Sequence, residues 1–200
     1  MTCHAQSTSC RPASRPVCRI ASRILLLGAV LFTLMGATCK REAQLPKVMV
    51  PEEDTAREQF FVADIQFQEA RGIYDQKKRE EELLKAIVAY QAVEKRFPDD
   101  KRYTPAAAAI VGSIYQELKQ NEKALAQFEH CLQKYPEDDQ VRITALMGMG
   151  QTWDNMKQPP KAQPYYKMIT DEYSTSSDPK VKELVEQARL RYRQIRLIGD

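Results

Sequence analysis

Beyond residue 53, apolar residues recur at three- and four-residue steps through most of the chain. Phe60, Ala63, Phe67, Ala70 and Tyr74 form one such stripe. Ala86, Tyr90 and Val93 form another, and Ala124, Phe128 and Cys131, then Ala162, Tyr166 and Ile169, repeat it. That spacing puts each set on one face of an α-helix. Short polar segments rich in Pro, Asp and Asn separate the stripes, so the expected class is all-α with tight connections. The first helix is expected from near Glu53, longer than the others. Thr104-Pro105 reads as a cap followed by proline at the first helical position, and Asn121 as the next cap. Asp138 or Asp139 opens the following helix, and Gln158-Pro159-Pro160 the one after; Pro164 is tolerable near that helix's first turn. A last helix follows Ser177-Asp178-Pro179, with Val181, Leu184, Val185, Ala188, Tyr192 and Ile195 on one side. Its other side, with Lys182, Arg189, Arg191, Arg193 and Arg196, reads as a solvated face whose cations suit a helix C-terminus.

The stripes belong to a repeat. Phe97-Pro98-Asp99-Asp100 recurs as Tyr135-Pro136-Glu137-Asp138, 38 residues later, and Tyr173-Ser174 falls at the same interval again without the proline. Gly112 and Tyr115 correspond to Gly150 and Trp153. Fixed-period self-similarity with two helices per period marks a stacked helical array, because each pair leaves an apolar face that only a neighbour can bury.

This pattern resembles the tetratricopeptide repeat family, whose 34-residue unit is a helix–turn–helix. The family's small, aromatic, small, aromatic, small-or-apolar and proline positions are matched by Gly112, Tyr115, Ala124, Phe128, Cys131 and Pro136. The third unit matches them with Gly150, Trp153, Ala162, Tyr166, Ile169 and Ser174. The first fits through Phe67, Ala70 and Tyr74, departs at Arg71, and needs about three extra residues around Lys77–Glu82 before Ala86. The resemblance implies a right-handed superhelical solenoid of about three helix pairs, at about 64–100, 105–138 and 143–176, closed by a capping helix at 178–198. It also implies a concave groove that binds a peptide or helix of a protein partner. Carried over, the groove positions are Gln68, Gly72 and Asp75, then Ala109, Ser113 and Gln116, then Met147, Gln151 and Asp154. The trough could instead be merely solvated, or covered by the protein's own termini.

Ahead of the repeats, residues 1–39 carry Arg11, Arg15, Arg19 and Arg23 and no acid. Without those four the chain sits near −1 rather than +3, so the basic character is not on the folded body. A nucleic-acid-binding domain needs it there to neutralise phosphates, so no nucleic acid is expected. Residues 24–37 are uncharged and mostly apolar, too short to span a ~30 Å hydrocarbon core but suited to a signal peptide. Gly36-Ala37-Thr38-Cys39 resembles a bacterial lipoprotein box, which implies lipidation at Cys39. Simple cleavage, an uncleaved anchor and a cytosolic protein stay open. Residues 40–53, with Pro46 and Pro51, read as a linker. The aromatic-Pro repeat endings and the leader together resemble exported envelope proteins, among them outer-membrane-assembly lipoproteins and the coordinator of the Tol-Pal system.

Chemistry is sparse. The sequence has no phosphate-binding Gly-rich loop, no GxSxG and no HExxH. His130 is the body's sole histidine and adjoins Cys131, its sole cysteine, but neighbouring helical residues point about 100° apart. No catalytic residue, metal, cofactor or small-molecule substrate is therefore expected. The resulting expectation is a non-enzymatic interaction scaffold of the bacterial envelope on the periplasmic side, held to a membrane through its N-terminal segment or a lipid on Cys39, with a cytosolic or inner-membrane adaptor as the alternative.

Overall fold

The computed structural model describes residues 44–199; the expected export segment, Cys39 within it, and residues 40–43 lie outside them. Seven helices follow in order: α1 (Ala56–Arg71), α2 (Gln76–Arg96), α3 (Tyr103–Glu117), α4 (Asn121–Lys134), α5 (Asp139–Asn155), α6 (Pro159–Tyr173) and α7 (Pro179–Gly199). Among the described residues there is no strand. Each helix packs on the next, and α1, α3, α5 and α7 also pack in succession. Three antiparallel pairs thus stack as a helical solenoid, and α7 stands where a fourth pair would begin.

The aromatic-Pro segments end one pair and start the next. Phe97 and Tyr135 take the same C-cap conformation (φ −127°, ψ 56° and φ −125°, ψ 52°) and donate their N–H groups to Val93 and Cys131. The carbonyls of Phe97 and Tyr135 then accept from Asp100 and Asp138. These aspartates cap the next helix: Asp138 accepts from Val141 N–H at 2.9 Å, and Asp100 from the N–H groups of Arg102, Tyr103 and Thr104. Asp100 therefore does the work expected of Thr104, which lies inside α3 and donates its hydroxyl to the Phe97 carbonyl at 2.6 Å. Asn121 is likewise the first residue of α4 rather than its cap. Within pairs two and three the turns are closed by Lys119 and Lys157, at φ 56° and 58°. Gln120 N–H reaches the Tyr115 carbonyl and Gln158 N–H the Trp153 carbonyl, both at 2.9 Å, the six-to-one bond of a Schellman ending.

Side-chain size decides how closely these helices approach. A Cβ on Gly112 would fall 2.5 Å from the Phe128 ring, one on Gly148 2.3 Å from the same ring, and one on Gly150 2.7 Å from Tyr166. The fully buried Phe128 of α4 thus lies between α3 and α5 in a slot that only glycine leaves open. Gly112 makes room for this ring. Gly148, absent from the matched positions, is the other wall.

The first pair follows a different register. Tyr90 of α2 donates its phenol to Asp64 of α1, 26 residues earlier, whereas Tyr166 donates to Asp154 only 12 residues earlier. The equivalent bonds reveal fourteen additional residues, taken up by a later end of α1, a longer turn and an earlier start of α2. At 16 residues α1 itself is shorter than α5 at 17, so it is displaced rather than longer than the others as expected. The extra segment is far larger than the three residues expected, and it carries α1 and α2 about two turns, ~10 Å, beyond the neighbouring pairs. Tyr74, expected in the core, is in the turn at its tip and fully exposed. Around Tyr90 the first pair packs aromatic rings instead of glycines: Phe60 at 5.5 Å and Phe67 at 6.2 Å, with Tyr103 of α3 at 5.5 Å from Phe60.

Both ends of the stack are closed. Residues 44–53, the described part of the segment read from sequence as a linker over 40–53, dock on the first pair with Leu45 and Val50 against its core. Buried Gln59 fastens them: its amide donates to the Pro51 carbonyl (3.0 Å), while its oxygen accepts from Glu53 N–H (3.2 Å) and Arg96 (2.7 Å). Thr55 caps the start of α1, accepting from Glu58 N–H at 3.2 Å and donating its hydroxyl to the Glu58 carboxylate at 2.8 Å. At the other end α7 buries Val181, Val185, Ala188 and Ile195 and leaves Glu183, Glu186 and Arg193 in solvent, the polar outer face a terminal repeat requires.

Candidate protein-binding face

The row α1–α3–α5 presents one continuous face. Its register follows from the tyrosine–aspartate bonds: Asp64, Gln116 and Asp154 are equivalent, and three residues earlier stand Phe61, Ser113 and Gln151, all exposed. One residue after the first set come Ile65, Glu117 and Asn155, also exposed. The expected residues of the second and third units fall on this register. Those of the first do not: Gly72 is the C-cap of α1, and Asp75 caps α2, accepting from Lys78 N–H at 2.8 Å. The face of the first pair is instead made by Arg57, Phe61, Asp64 and Ile65. Asp75 stands eleven positions after Asp64, close to three full helical turns. A shift of that length keeps every residue on the same face, so periodicity cannot detect it. The detectable signal was the Asp64–Tyr90 pair mirrored by Asp154–Tyr166.

Several expected groove residues hold the repeats together. Gln116 donates its amide to the Gly148 carbonyl (2.9 Å) and to Thr152 Oγ1 (2.8 Å), stitching α3 to α5. Ala109 and Met147 are buried, and Ser113 bonds back to the Ala109 carbonyl while staying exposed. Asp154 accepts from Tyr166 (2.8 Å) and from Arg191 of α7 (2.7 Å). Burial and the adjacent Asp154 carboxylate push the Tyr166 phenol well above its ordinary pKa, and burial and Asp64 do the same to Tyr90. Arg191, expected on a solvated face, thus locks α7 across the third unit. Met147, Gln151, Asp154, Asn155, Tyr166, Gln187 and Arg191 enclose a hollow of about 280 Å³ there.

The free part of the face therefore runs from α1 to the middle of α5 and changes character along its length. At α1 it exposes Phe61 (45%) and Ile65 (59%), with the Arg57 guanidinium 5.6 Å from the Phe61 ring centroid. At α3 and α5 it is small and polar, through Ser113 and Gln151. Gln68, one turn beyond Ile65, extends the α1 stripe and is exposed.

Elsewhere the chemistry is structural. A roomier hollow of about 650 Å³ lies between the Pro98 and Pro136 turns, but its Asp100 and Asp138 are committed to helix caps. Glu94 of α2 accepts from His130 (2.8 Å), Lys134 (2.7 Å) and Tyr135 (3.0 Å), joining the first and second pairs. Burial raises the Glu94 pKa, but the three donors outweigh it and hold the carboxyl below its ordinary value. Cys131 faces the core, where burial pushes its thiol up to about 12, far from a reactive thiolate. Among the described residues no three His, Cys, Asp or Glu side chains gather as metal ligands.

No curated protein matches the chain in sequence. Residues 111–138, from the middle of α3 through the turn after α4, match the tetratricopeptide repeat family. Among solved structures the chain is similar to the type III secretion translocator chaperone SycD of Yersinia enterocolitica, with a TM-score of 0.58 and 15% identity. That likeness covers 74% of this chain and 97% of the other, and at that identity it speaks for the fold. The second helix pair therefore carries a tetratricopeptide repeat, and the chain as a whole folds as a tetratricopeptide-like helical solenoid.

Proposed function

We propose that this protein is a non-catalytic interaction scaffold of the bacterial cell envelope, and that the face formed by α1, α3 and α5 receives an extended segment or helix of a partner. The observation carrying the reading is the pair Phe61 and Ile65, exposed at groove positions that hold polar residues in the other units. Phe61 leans on Phe60 and Tyr103 with one side of its ring, but packing leaves the rest of it and most of Ile65 in solvent. Covering their exposed halves stabilises a complex by about 1 kcal/mol each, while Ser113 and Gln151 supply hydrogen bonds along the trough. The Arg191–Asp154 lock limits a bound segment at the third unit, so its apolar anchor residues belong at the α1 end.

The envelope setting is supported by the leader: arginines, then a 14-residue apolar stretch, then Cys39. The interaction reading is tested by Phe61→Ser with Ile65→Ser, which should release a partner crosslinked to the intact chain while the melting curve stays unchanged. Retention of that partner removes the face from the account. The setting is tested separately by signal-peptidase processing and membrane fractionation; an unprocessed cytosolic chain sinks it.

A further inference from the structure

The fourteen-residue extension of the first pair does nothing for the repeat fold that the shorter second and third pairs lack. Its tip is chemically distinct. Tyr74 is fully exposed, and Ile73 beside it is half-buried. Arg71, Lys77, Lys78 and Arg79 surround them, and among the described residues only Arg71 has an ion-pair partner, Glu117 at a long 4.0 Å. The first turn of α2 contains no acid and three cations. Cations there oppose the helix dipole and weaken the helix by about 0.3–1 kcal/mol each. Asp75, beside Tyr74, is the one acid of the turn and is committed to capping α2 at Lys78 N–H, while Glu80, Glu81 and Glu82 follow further along α2, behind the tip.

We infer that this tip is a contact for an anionic lipid surface. A projecting turn offers no concavity to hold a peptide, whereas a flat bilayer surface is complementary to it. An exposed tyrosine with a polar end suits the headgroup region, and each Lys or Arg held near anionic lipid strengthens binding. No described helix is long and apolar enough to cross a membrane, so the contact is a peripheral one. It is independent of the N-terminal segment and of the α1–α3–α5 face, and would hold the solenoid in a fixed orientation on the surface.

The test uses the full chain with vesicles of phosphatidylcholine alone and of phosphatidylcholine mixed with phosphatidylglycerol, at low salt. The leader carries its own arginines and also favours anionic vesicles, so the readout is how far the tip variants lower the ratio of the two partition coefficients below that of the parent, which has the same leader. The ratio should favour the anionic vesicles, fall about a hundredfold in the triple variant Lys77→Gln, Lys78→Gln, Arg79→Gln, and collapse as salt screens the charges. Tyr74→Ser should lower binding to the anionic vesicles by up to about tenfold. Unchanged melting curves keep these losses from being unfolding, since all four positions are exposed or at the tip. A ratio that the triple variant does not move overturns the inference, and the tip would then be assigned to an acidic protein surface.

Discussion

The first helix pair and the two that follow it solve one packing problem with different residues. In pairs two and three, Gly112, Gly148 and Gly150 leave slots that Phe128 and Tyr166 fill, and each turn closes on a left-handed lysine. In pair one no glycine faces the core. Phe60, Phe67, Tyr90 and Tyr103 pack edge to face, and the helices run on two turns further. The compact pairs are specified by a few fixed positions, and so they look alike in sequence. The first pair has only its inner side constrained by the stack. Its outer side is covered by residues 44–54, so its length and register were free to change. The same freedom placed Phe61 and Ile65 on the α1–α3–α5 face and carried Tyr74 away from the body.

That contrast can be broken at its tightest point. Phe128→Ala should destabilise by about 3–5 kcal/mol in urea unfolding, because both glycine slots empty together. Gly148→Ala should cost about 1–3 kcal/mol by overpacking and be partly rescued by Phe128→Leu, which withdraws ring atoms. Rescue that fails would mean that the slot is not set by that ring.

At the open end, Gln59→Ala should cost about 1–3 kcal/mol by leaving the Pro51 carbonyl, Glu53 N–H and Arg96 without their partner. Limited proteolysis should then cut within residues 44–54 before the helices, whereas the parent resists there.

Between the first and second pairs, Glu94→Gln should cost about 1 kcal/mol. Since the folded carboxyl sits below its ordinary value, its contribution is present above about pH 4.3 and is lost as the pH falls through the folded value. Urea midpoints measured from pH 6 downward should therefore fall less for the variant than for the parent over that acid range. Parallel midpoints would show that the cluster does not couple the pairs.

The smallest effect concerns the turns: Lys119→Gly or Lys157→Gly should raise stability by about 0.5–1 kcal/mol, by removing the cost of a side chain at positive φ. Thermal midpoints check it, and a loss would mean the lysines make contacts that offset that strain.

Much of this fold was legible because a solenoid is built from local rules. The Phe97-Pro98 and Tyr135-Pro136 endings, the Asp138 cap and the Pro159 start are each set by residues within a few positions of one another. Caps that depend on the path of a turn were less legible. Asp100 displaced Thr104 because its carboxylate reaches three N–H groups at once. The register of the α1–α3–α5 row was legible where Gly112 and Gly150 fix it. It was misplaced in the first pair because a displacement of eleven residues preserves a helical face. Arg191 read as solvated for a related reason. Its partner Asp154 is 37 residues away, and no pattern within α7 alone could name it.

The central claim is that the α1–α3–α5 face holds the partner, with Phe61 in line with Ser113 rather than Asp75. A photo-reactive phenylalanine analogue placed singly at Phe61, Ser113 and Asp75 in the intact chain, and irradiated in cells, tests it most directly. The account predicts one and the same protein adduct from Phe61 and Ser113 and none of it from Asp75. The same adduct from Asp75 and Ser113, with none from Phe61, would contradict it.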